Sequence, residues 1–316
     1  MRVVCLAGGV GGAKLADGLQ QVLAPGELTV IVNTGDDLER HSLLICPDHD
    51  TVMYTLAGIA GAQGWGLAGE TWRVMGGLTR LGEGTWFRLG DKDIATHLYR
   101  TERVRRGERL TDVAAELRRA LGVPSHILPM TDAPVRTRVR TDDGWLDFQD
   151  YFVRMHQAPE IQEVRFDGVD LAAITPEIAE ALQAAEVIVV APSNPIVSIG
   201  PILAVRGMLE EITKARRRGI RAVGVSGIVG GKALRGPADR MMVSLGEEAT
   251  ALGVARRYAT AGLLDTFVID TLDASLAAEV RALGLRVVVT DTVMTDAAGR
   301  VRLARDVLAA AVAAPA

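Results

Sequence analysis

A glycine-rich segment near the start of the chain is the first place where residue types and spacing suggest chemistry. Residues 7–14 read AGGVGGAK and follow a short apolar run at residues 2–6. Glycines let backbone N–H groups approach a phosphate closely, and the helix expected after them adds a favourable dipole at its N-terminus. The loop residues that we predict to bind a phosphate are Gly9, Val10, Gly11, Gly12 and Lys14. The alternative is a tight strand-to-helix turn that binds no ligand.

This glycine segment differs from two familiar nucleotide-binding motifs. It lacks the Gly-Lys-Ser/Thr ending of a P-loop. Asn33 ends the second apolar run, where dinucleotide-binding proteins place an acid for the ribose, although Asp36 and Asp37 follow closely. An NAD(P)-dependent oxidoreductase is therefore one alternative function.

Two acidic clusters could bind a divalent cation. Asp36 and Asp37 follow the second apolar run, and residues 45–51 (ICPDHDT) add Asp48 and Asp50 where a helix is expected to begin. The carboxyl ends of parallel strands face the ligand crevice, and carboxylates there suit Mg²⁺, which takes one or two of them with waters and phosphates. The alternative for Asp48 and Asp50 is capping of the helix N-terminus.

A charged segment at residues 88–97 (RLGDKDIATH) could contact a substrate. Asp93 and His97 are one helical turn apart and could share a face of the helix. The alternative, which carries equal weight, is that Asp91 or Asp93 caps the helix and that Asp93 merely orients His97.

Two later loops carry residue types suited to a phosphorylated ligand. Residues 191–201 (APSNPIVSIGP) and 226–232 (SGIVGGK) each follow an apolar run. The residues predicted to contact a nucleotide or phosphate there are Ser193, Asn194, Ser198, Gly230 and Lys232. Three glycine-bearing loops at one sheet edge are hard to explain by packing alone, and they indicate a phosphorylated, nucleotide-linked ligand.

Composition excludes several classes of function. The 316 residues are 48% hydrophobic and 23% charged, which is typical of a globular protein. A net charge of -4 provides no bulk positive field, so we expect neither nucleic acid nor a membrane surface as a partner. The two cysteines form no Cys-x-x-Cys pair, which indicates neither a disulfide framework nor a thiolate zinc site and fits the cytoplasm.

Short β-branched runs alternate with helical patterns along the chain. The expected core strands are residues 2–6, 28–33, 186–191, 221–225, 266–269 and 286–290. Continuous apolar runs separated by helices are typical of a parallel sheet that is covered on both faces. We therefore predict an α/β fold with a doubly wound, mostly parallel, Rossmann-like sheet.

A long interval of different character separates the second and third predicted core strands. It contains expected helices at residues 70–81, 94–105 and 110–121, and then a β-hairpin with strands 137–141 and 144–148. We predict an α/β nucleotide-binding core formed by residues 1–50 and 166–316. Residues 51–165 would form a mainly helical inserted subdomain with the hairpin, and a cleft would lie between the two parts.

Taken together, these motifs resemble those of the 2-phospho-L-lactate transferase family, also described in bacteria as phosphoenolpyruvate transferases. The resemblance runs along essentially the whole chain. The matching segments are residues 8–12, 32–37, 46–51, 89–97, 191–195, 198–202 and 294–295. One departure is Ser226-Gly227-Ile228, where family members commonly have Ser-Pro-Ile, and it leaves the shape of the donor loop open.

The resemblance implies an Mg²⁺-dependent enzyme of coenzyme F(420) biosynthesis that acts as a homodimer. It would transfer a phospho-C3-acid group from a guanosine diphosphate-linked donor to the ribityl hydroxyl of the deazaflavin Fo and release GMP. The resemblance places Asp50 and Arg88 in contact with Fo, and Asp36 with Asp50 at the metal. Together with Asp91 and His97 of the charged segment, these residues give an Fo site lined by the insertion. We hypothesise that Asp50 helps to place the metal and accepts the hydroxyl proton.

Two alternatives to this transferase make different predictions. An NAD(P)-dependent oxidoreductase would bind a dinucleotide tightly without a metal. A non-catalytic nucleotide-binding relative would have no need of a metal-centred hydroxyl site. The C3 acid of the donor, of lactate, enolpyruvate or glycerate type, stays open, because a pocket separates such small groups by only ~1–3 kcal/mol.

Overall fold

The computed structural model describes residues 1–312, in which helices and strands form a central sheet and an insertion. The strands are β1 (Val3–Ala7), β2 (Leu28–Val32), β3 (Leu38–Arg40), β4 (Leu43–Ile45), β5 (His126–Pro129), β6 (Arg136–Thr141), β7 (Gly144–Asp147), β8 (Glu163–Asp167), β9 (Val187–Val190), β10 (Arg221–Val225), β11 (Ile228–Val229), β12 (Lys232–Ala233), β13 (Thr266–Asp270) and β14 (Arg286–Thr290). The helices are α1 (Gly9–Val22), α2 (Pro47–Leu56), α3 (Arg73–Arg80), α4 (Asp91–Arg105), α5 (Leu110–Ala120), α6 (Pro176–Ala184), α7 (Ile199–Ala204), α8 (Met208–Arg217), α9 (Ala238–Ser244), α10 (Ala251–Thr260), α11 (Ala277–Ala282) and α12 (Ala297–Val312).

A seven-stranded parallel sheet forms the centre of the described part of the chain. The strand order is β14-β13-β10-β9-β1-β2-β5, and each neighbouring pair is parallel. Each of the six predicted core strands overlaps one of these strands. The prediction of a doubly wound α/β fold is therefore confirmed.

The central strand β1 shows why continuous apolar runs form this sheet. Val4 and Leu6 lie in a core that the sheet forms with α6, α8 and α10, whereas Val3 and Cys5 lie in a second core with α1, α2 and α12. Successive side chains of a strand point to opposite faces, so a strand covered on both faces needs apolar residues at every position.

The two halves of the sheet diverge between β1 and β9. From β1 the chain continues to β2 and then β5 on one side, and it returns to β9, β10, β13 and β14 on the other. In open parallel sheets, ligands bind outside the carboxyl ends of the strands at such a switch point. The loops that follow β1 and β9 are the glycine loop and residues 191–198, so the fold brings these two predicted loops together.

One strand of the sheet was not predicted. β5 pairs with β2 at the edge of the sheet, although it lies within the residues 51–165 that we assigned to the insertion. Four residues that end in Pro129 are a weak strand signal, and proline is tolerated there because an edge strand has one free side. The division at residues 51 and 165 stays a prediction, but this interval contributes a strand to the central sheet.

Other parts of the insertion match the predicted elements. Helices α3, α4 and α5 overlap the three predicted helices, and β6 pairs antiparallel with β7 in the predicted hairpin. β8 adds to the other side of β6 and makes a three-stranded sheet. Among residues 1–312, no helix has the length and apolar character needed to cross a membrane.

Candidate active site

A cavity of about 760 Å³ opens at the carboxyl ends of β1, β2, β9 and β10. The loops after these strands form one side, and segments of the insertion form the other. The carboxylates that line it are Asp36, Asp48, Asp50 and Asp93, and the aromatic side chains are Trp65, Trp86, Phe87, Phe148 and Phe152. The cavity therefore joins the glycine loop, an acidic region and an aromatic region in one space.

The glycine loop, residues 8–14, forms the first turns of α1, because this helix begins at Gly9 and not after Lys14 as expected, and the segment also faces the cavity. Gly9 has a φ of +60°, a left-handed conformation that favours glycine. A Cβ at Gly8 would lie 2.5 Å from Asp48 Oδ2, and one at Gly11 would lie 2.4 Å from the carbonyl oxygen of Pro192. Gly9 and Gly11 line the cavity. The segment is therefore a tightly packed turn, and it also faces a cavity that could hold a ligand.

Ser193 and Asn194 hold the switch-point loops in place. Ser193 Oγ donates to the carbonyl oxygen of Gly8 at 2.8 Å and accepts from the Gly8 N–H at 3.0 Å. Asn194 Oδ1 accepts from the N–H of Ile196 at 2.9 Å. Both side chains line the cavity, but these hydrogen bonds are made to the protein.

Asn33 connects the end of β2 to α2 and to the loop after β9. Its Nδ2 donates to Asp48 Oδ2 at 2.9 Å and to the carbonyl oxygen of Val197 at 3.2 Å, and its Oδ1 accepts from the Gly35 N–H at 2.8 Å. The side chain is fully buried and cannot serve a ribose as the acid of a dinucleotide-binding protein does. The N-cap of α2 is Cys46 without a side-chain capping bond, so neither Asp48 nor Asp50 is its cap residue.

Asp36 and Asp48 form a buried pair of carboxylates near the glycine loop. Burial, and then the Asp48 carboxylate, raise the pKa of Asp36 well above its usual range. Burial raises the pKa of Asp48 to about 6 and that of the neighbouring Asp37 to about 7. Asp36 Oδ1 has no hydrogen-bond partner among the described residues. A divalent cation would stabilise such a pair, because it favours the charged form of both acids.

Asp50 is bound by Arg100 in a buried ion pair. Arg100 Nη1 donates to Asp50 Oδ2 at 3.1 Å, and Nη2 contacts Oδ1. Burial works to raise the pKa of Asp50, but the Arg100 charge, assisted by His49 and His97, holds that pKa below its usual range. The predicted roles of Asp50 stay untested, but a carboxylate held in this way is a weak base and already has a cation on both oxygens.

Asp93 and His97 extend this ion pair along α4. His97 Nδ1 lies 3.6 Å from Asp50 Oδ2 and 3.4 Å from Arg100 Nη1, and His97 Nε2 lies 3.4 Å from Asp93 Oδ2. The Tyr54 hydroxyl donates to Asp93 Oδ1 at 2.6 Å. Atoms of Asp50, Asp93 and His97 are close enough to ligate a metal together, within 4.8 Å of one another. The Arg100 guanidinium already contacts two of these residues, Asp50 and His97, however, and would repel a metal cation.

Asp91 lies outside the cavity and caps a different helix from the one that follows it. Its carboxylate accepts from the N–H groups of Arg73 and Val74, at 3.0 Å each, at the start of α3. Glu70 in turn accepts from two N–H groups at the start of α4, at 2.9 Å each. The capping interpretation thus describes Asp91, but the helix that it caps is α3.

Most of the predicted site residues meet at the cavity. Those that line it are Gly9, Val10, Gly11, Lys14, Asp36, Asp50, Arg88, His97, Ser193, Asn194 and Ser198. Those that do not are Gly12, Asp91, Gly230 and Lys232. Gly12 packs under the loop, where a Cβ would lie 2.6 Å from Ser193 Oγ. The Gly230 N–H donates to the Asp273 carboxylate at 3.1 Å, and Lys232 is exposed.

A group of cations lines another part of the cavity. Lys14 Nζ donates to the carbonyl oxygen of Met294 at 2.8 Å. Burial, and then the charges of Arg300 and Arg235, lower the pKa of Lys14. Arg235 follows β12, lines the cavity and was not predicted. Cations that repel one another in this way are suited to a phosphate, which would relieve the repulsion.

Sequence reasoning also missed Arg100 and the aromatic residues. Arg100 follows His97 by three positions and Asp93 by seven, on the same face of α4, and this spacing is a signal that could have found it. The aromatic side chains come from separate segments around Trp65, Trp86 and Phe148, so no local pattern links them.

Comparison with known proteins relates nearly the whole chain to one family. The model of the family described as 2-phospho-L-lactate transferase CofD matches residues 3–308. A phosphoenolpyruvate transferase of Streptomyces griseus is 44% identical over 314 residues, which cover 98% of this chain and 98% of the relative. A 2-phospho-L-lactate transferase of Methanosarcina mazei is 38% identical over 295 residues, covering 93% of this chain and 95% of the relative.

A solved structure of low sequence identity has the same fold. The crystal structure of a protein of the UPF0052 family from Bacillus halodurans superposes with a TM-score of 0.61 and 17% identity. The match covers 97% of this chain and 98% of that protein. At this identity the likeness concerns the fold alone.

Proposed function

The chain belongs to the 2-phospho-L-lactate transferase family, and from this membership we propose its donor, its acceptor and its products. The enzyme transfers a phospho-C3-acid group from a guanosine diphosphate-linked donor to the ribityl hydroxyl of the deazaflavin Fo. GMP is released, and the reaction belongs to coenzyme F(420) biosynthesis. The same resemblance supports a homodimer, and the cysteine content fits the cytoplasm.

One observation carries this proposal: a single cavity joins the glycine loop at the switch point to buried carboxylates and to an aromatic region. A transferase that joins a nucleotide-linked donor to a planar acceptor needs all three parts within reach of one another. A dinucleotide-dependent oxidoreductase needs a ribose-binding acid, whereas this chain has the buried, hydrogen-bonded Asn33 at the end of β2.

The aromatic region supports a flat acceptor. The rings of Phe148 and Phe152 are stacked with centroids 5.6 Å apart, and the side chain of Trp65 is 46% exposed at the cavity. Aromatic side chains bind flat ring systems through stacking and edge contacts. Arg88 also lines the cavity, with its guanidinium 4.2 Å from the centre of the Trp72 ring. This position is consistent with the contact to Fo that the resemblance implies.

The residues present fit a magnesium ion, which we propose as the cofactor. Asp36 and Asp48 would hold it, because they form a buried acidic pair in which Asp36 Oδ1 has no protein partner within residues 1–312. Asp50 is a weaker candidate for the second ligand than Asp48, since Arg100 binds it. When bound, the ion would neutralise the charge of the phosphate that is transferred. The glycine loop, Lys14 and Arg235 would hold the donor phosphates by N–H groups and positive charge.

The proposal is tested by incubating the purified protein with Fo, Mg²⁺ and one guanylated donor at a time. The donors are those of phospholactate, phosphoenolpyruvate and phosphoglycerate, and product mass is the readout. We expect one donor to be consumed preferentially, with GMP as the second product. Asp36→Asn should lose at least about 10²-fold in turnover while it remains folded, because it weakens the metal site. If no donor is consumed and Fo does not bind, the proposed function is wrong.

A further inference from the structure

Four carboxylates line the cavity, and three of them already have an arginine partner or a proposed role at the metal. Asp36 and Asp48 form the acidic pair, and Asp50 is bound by Arg100. Asp93 is the fourth. Within residues 1–312, no lysine or arginine lies at ion-pair distance from its carboxylate, although the side chain is only 14% exposed.

The surroundings of Asp93 orient its carboxylate. The Tyr54 hydroxyl donates to Oδ1 at 2.6 Å, and burial, then the charges of Asp50 and Asp93, raise the pKa of Tyr54, so this group stays a donor. An arginine can only donate, so the 3.4 Å contact from Arg100 Nη1 to His97 Nδ1 is a hydrogen bond in the tautomer that carries the ring proton on Nε2. His97 Nε2 faces Asp93 Oδ2 at 3.4 Å and has no hydrogen bond within the described chain.

From this geometry, and resting on the proposed function, we propose that Asp93 is the catalytic base that binds the acceptor hydroxyl and takes its proton. The Tyr54 hydroxyl holds the carboxylate in place as a positioning residue, and the His97 ring lies beside it without a hydrogen bond. Each oxygen of Asp93 can accept more than one hydrogen bond, so the side chain has capacity left for a ligand in the cavity. The proton-accepting role predicted for Asp50 passes to Asp93, since Asp50 is neutralised by Arg100.

The proposed step balances atoms and electrons. The hydroxyl proton of the acceptor moves to the Asp93 carboxylate as the hydroxyl oxygen forms a bond to the β-phosphorus of the donor. The bond between that phosphorus and the oxygen bridging to the α-phosphorus breaks. The electron pair leaves on the phosphate of GMP. No oxidant, reductant or covalent enzyme intermediate takes part.

The test compares Asp93→Asn and Asp93→Ala with Glu102→Gln, a change of the same type on the exposed side of α4. Asp93→Asn keeps the shape of the side chain and one acceptor oxygen. We expect its turnover to fall by about 10²–10⁴-fold, as for loss of a general base, while Fo binding measured by calorimetry changes little. Asp93→Ala should regain part of its turnover when formate is added, because a small carboxylate can enter the space left. Glu102→Gln should behave like the wild type.

The outcomes separate this assignment from the proposed function. Wild-type protein that neither binds nor modifies Fo contradicts the proposed function itself. Active wild-type protein together with an equally active Asp93→Asn variant contradicts only the role of Asp93. Loss of Fo binding in both Asp93 variants, without rescue by formate, would identify Asp93 as a binding contact and overturn the proton transfer.

Discussion

Asp50 and Arg100 form a buried ion pair between α2 and α4, fifty residues apart in the chain. The sequence identified Asp50 as a candidate functional residue, because it belongs to an acidic cluster at the predicted ligand crevice. Its partner decides which chemistry is possible. With Arg100 on both oxygens, the carboxylate stays charged, joins two elements and attracts a proton weakly.

Removal of Arg100 should therefore be costly. We expect Arg100→Met to lower the free energy of unfolding by about 3–5 kcal/mol, because it leaves Asp50 as an uncompensated buried charge. Urea unfolding followed by circular dichroism measures this loss. The control is Arg103→Met on the same helix, where the ion pair with Glu108 is about one-third exposed, and its loss should be far smaller. Equal losses in the two variants would show that Asp50 does not depend on Arg100 for its charge.

At the scale of elements, α3 and α4 cap each other. Asp91, from the first turn of α4, binds the N–H groups that open α3, and Glu70, which precedes α3, binds those that open α4. A Cβ at Gly90 would lie 2.1 Å from Glu70 Cδ, so any larger residue there would displace the carboxylate that caps α4. α4 carries Asp93, so the cap made by Glu70 helps to position the site.

The two caps should have separable effects on the acceptor site. Glu70→Ala should destabilise the protein by about 1 kcal/mol, a typical cost for a lost helix cap, and should also reduce turnover, because α4 carries cavity residues. Asp91→Ala should lower the melting temperature without weakening Fo binding, because Asp91 does not line the cavity. Thermal unfolding and calorimetry with Fo measure the two properties. Weaker Fo binding in Asp91→Ala would instead support the acceptor contact predicted from the sequence.

At the scale of the whole molecule, buried acids meet at the carboxyl edge of the central sheet. The end of β2 and the start of α2 bring Asp36, Asp37 and Asp48 together, and burial is the first cause of the raised pKa of each. Acids whose folded pKa lies above the unfolded value stabilise the fold at low pH, and this contribution is lost as pH rises through the folded pKa. Asp50 acts in a separate pH range, because its pKa is lowered: its contribution to stability is lost only as the pH falls below the usual pKa of an aspartate.

The stabilisation by Mg²⁺ should consequently increase with pH. In EDTA, the contributions of Asp48 and Asp37 should be lost progressively as pH rises from about 4 to about 7. Added Mg²⁺ should restore that of Asp48, because the ion binds its charged carboxylate. We expect the increase in melting temperature caused by Mg²⁺ to be larger at pH 8 than at pH 5. The melting temperatures with and without metal are compared at the same pH. The contributions of other titrating groups, such as His126, then cancel, because they are the same in both samples. An Mg²⁺ effect that is equal at pH 5 and pH 8 would argue against Asp36 and Asp48 as ligands.

Local patterns in the sequence were sufficient for much of the fold and for part of the site. The β-branched runs identified six of the seven parallel strands, because strands buried on both faces must be apolar throughout. The position of the glycine loop, and of Asp36, Asp48 and Asp50 after strands, followed from the rule that such ends face the crevice. The whole-chain resemblance identified the family, which the comparisons confirm.

Only the tertiary structure decided which of these residues touch one another. β5 became a core strand because β2 offers it an edge, although its own four residues give a weak signal. Arg100 reaches Asp50, Asp91 reaches α3, and the aromatic residues meet from three separate segments. Each of these is a contact between distant parts of the chain, and no local pattern in the sequence shows which two parts will meet. The sequence by itself determined the supply of phosphate-binding and acidic groups, and packing determined which acids are neutralised and which still face the cavity.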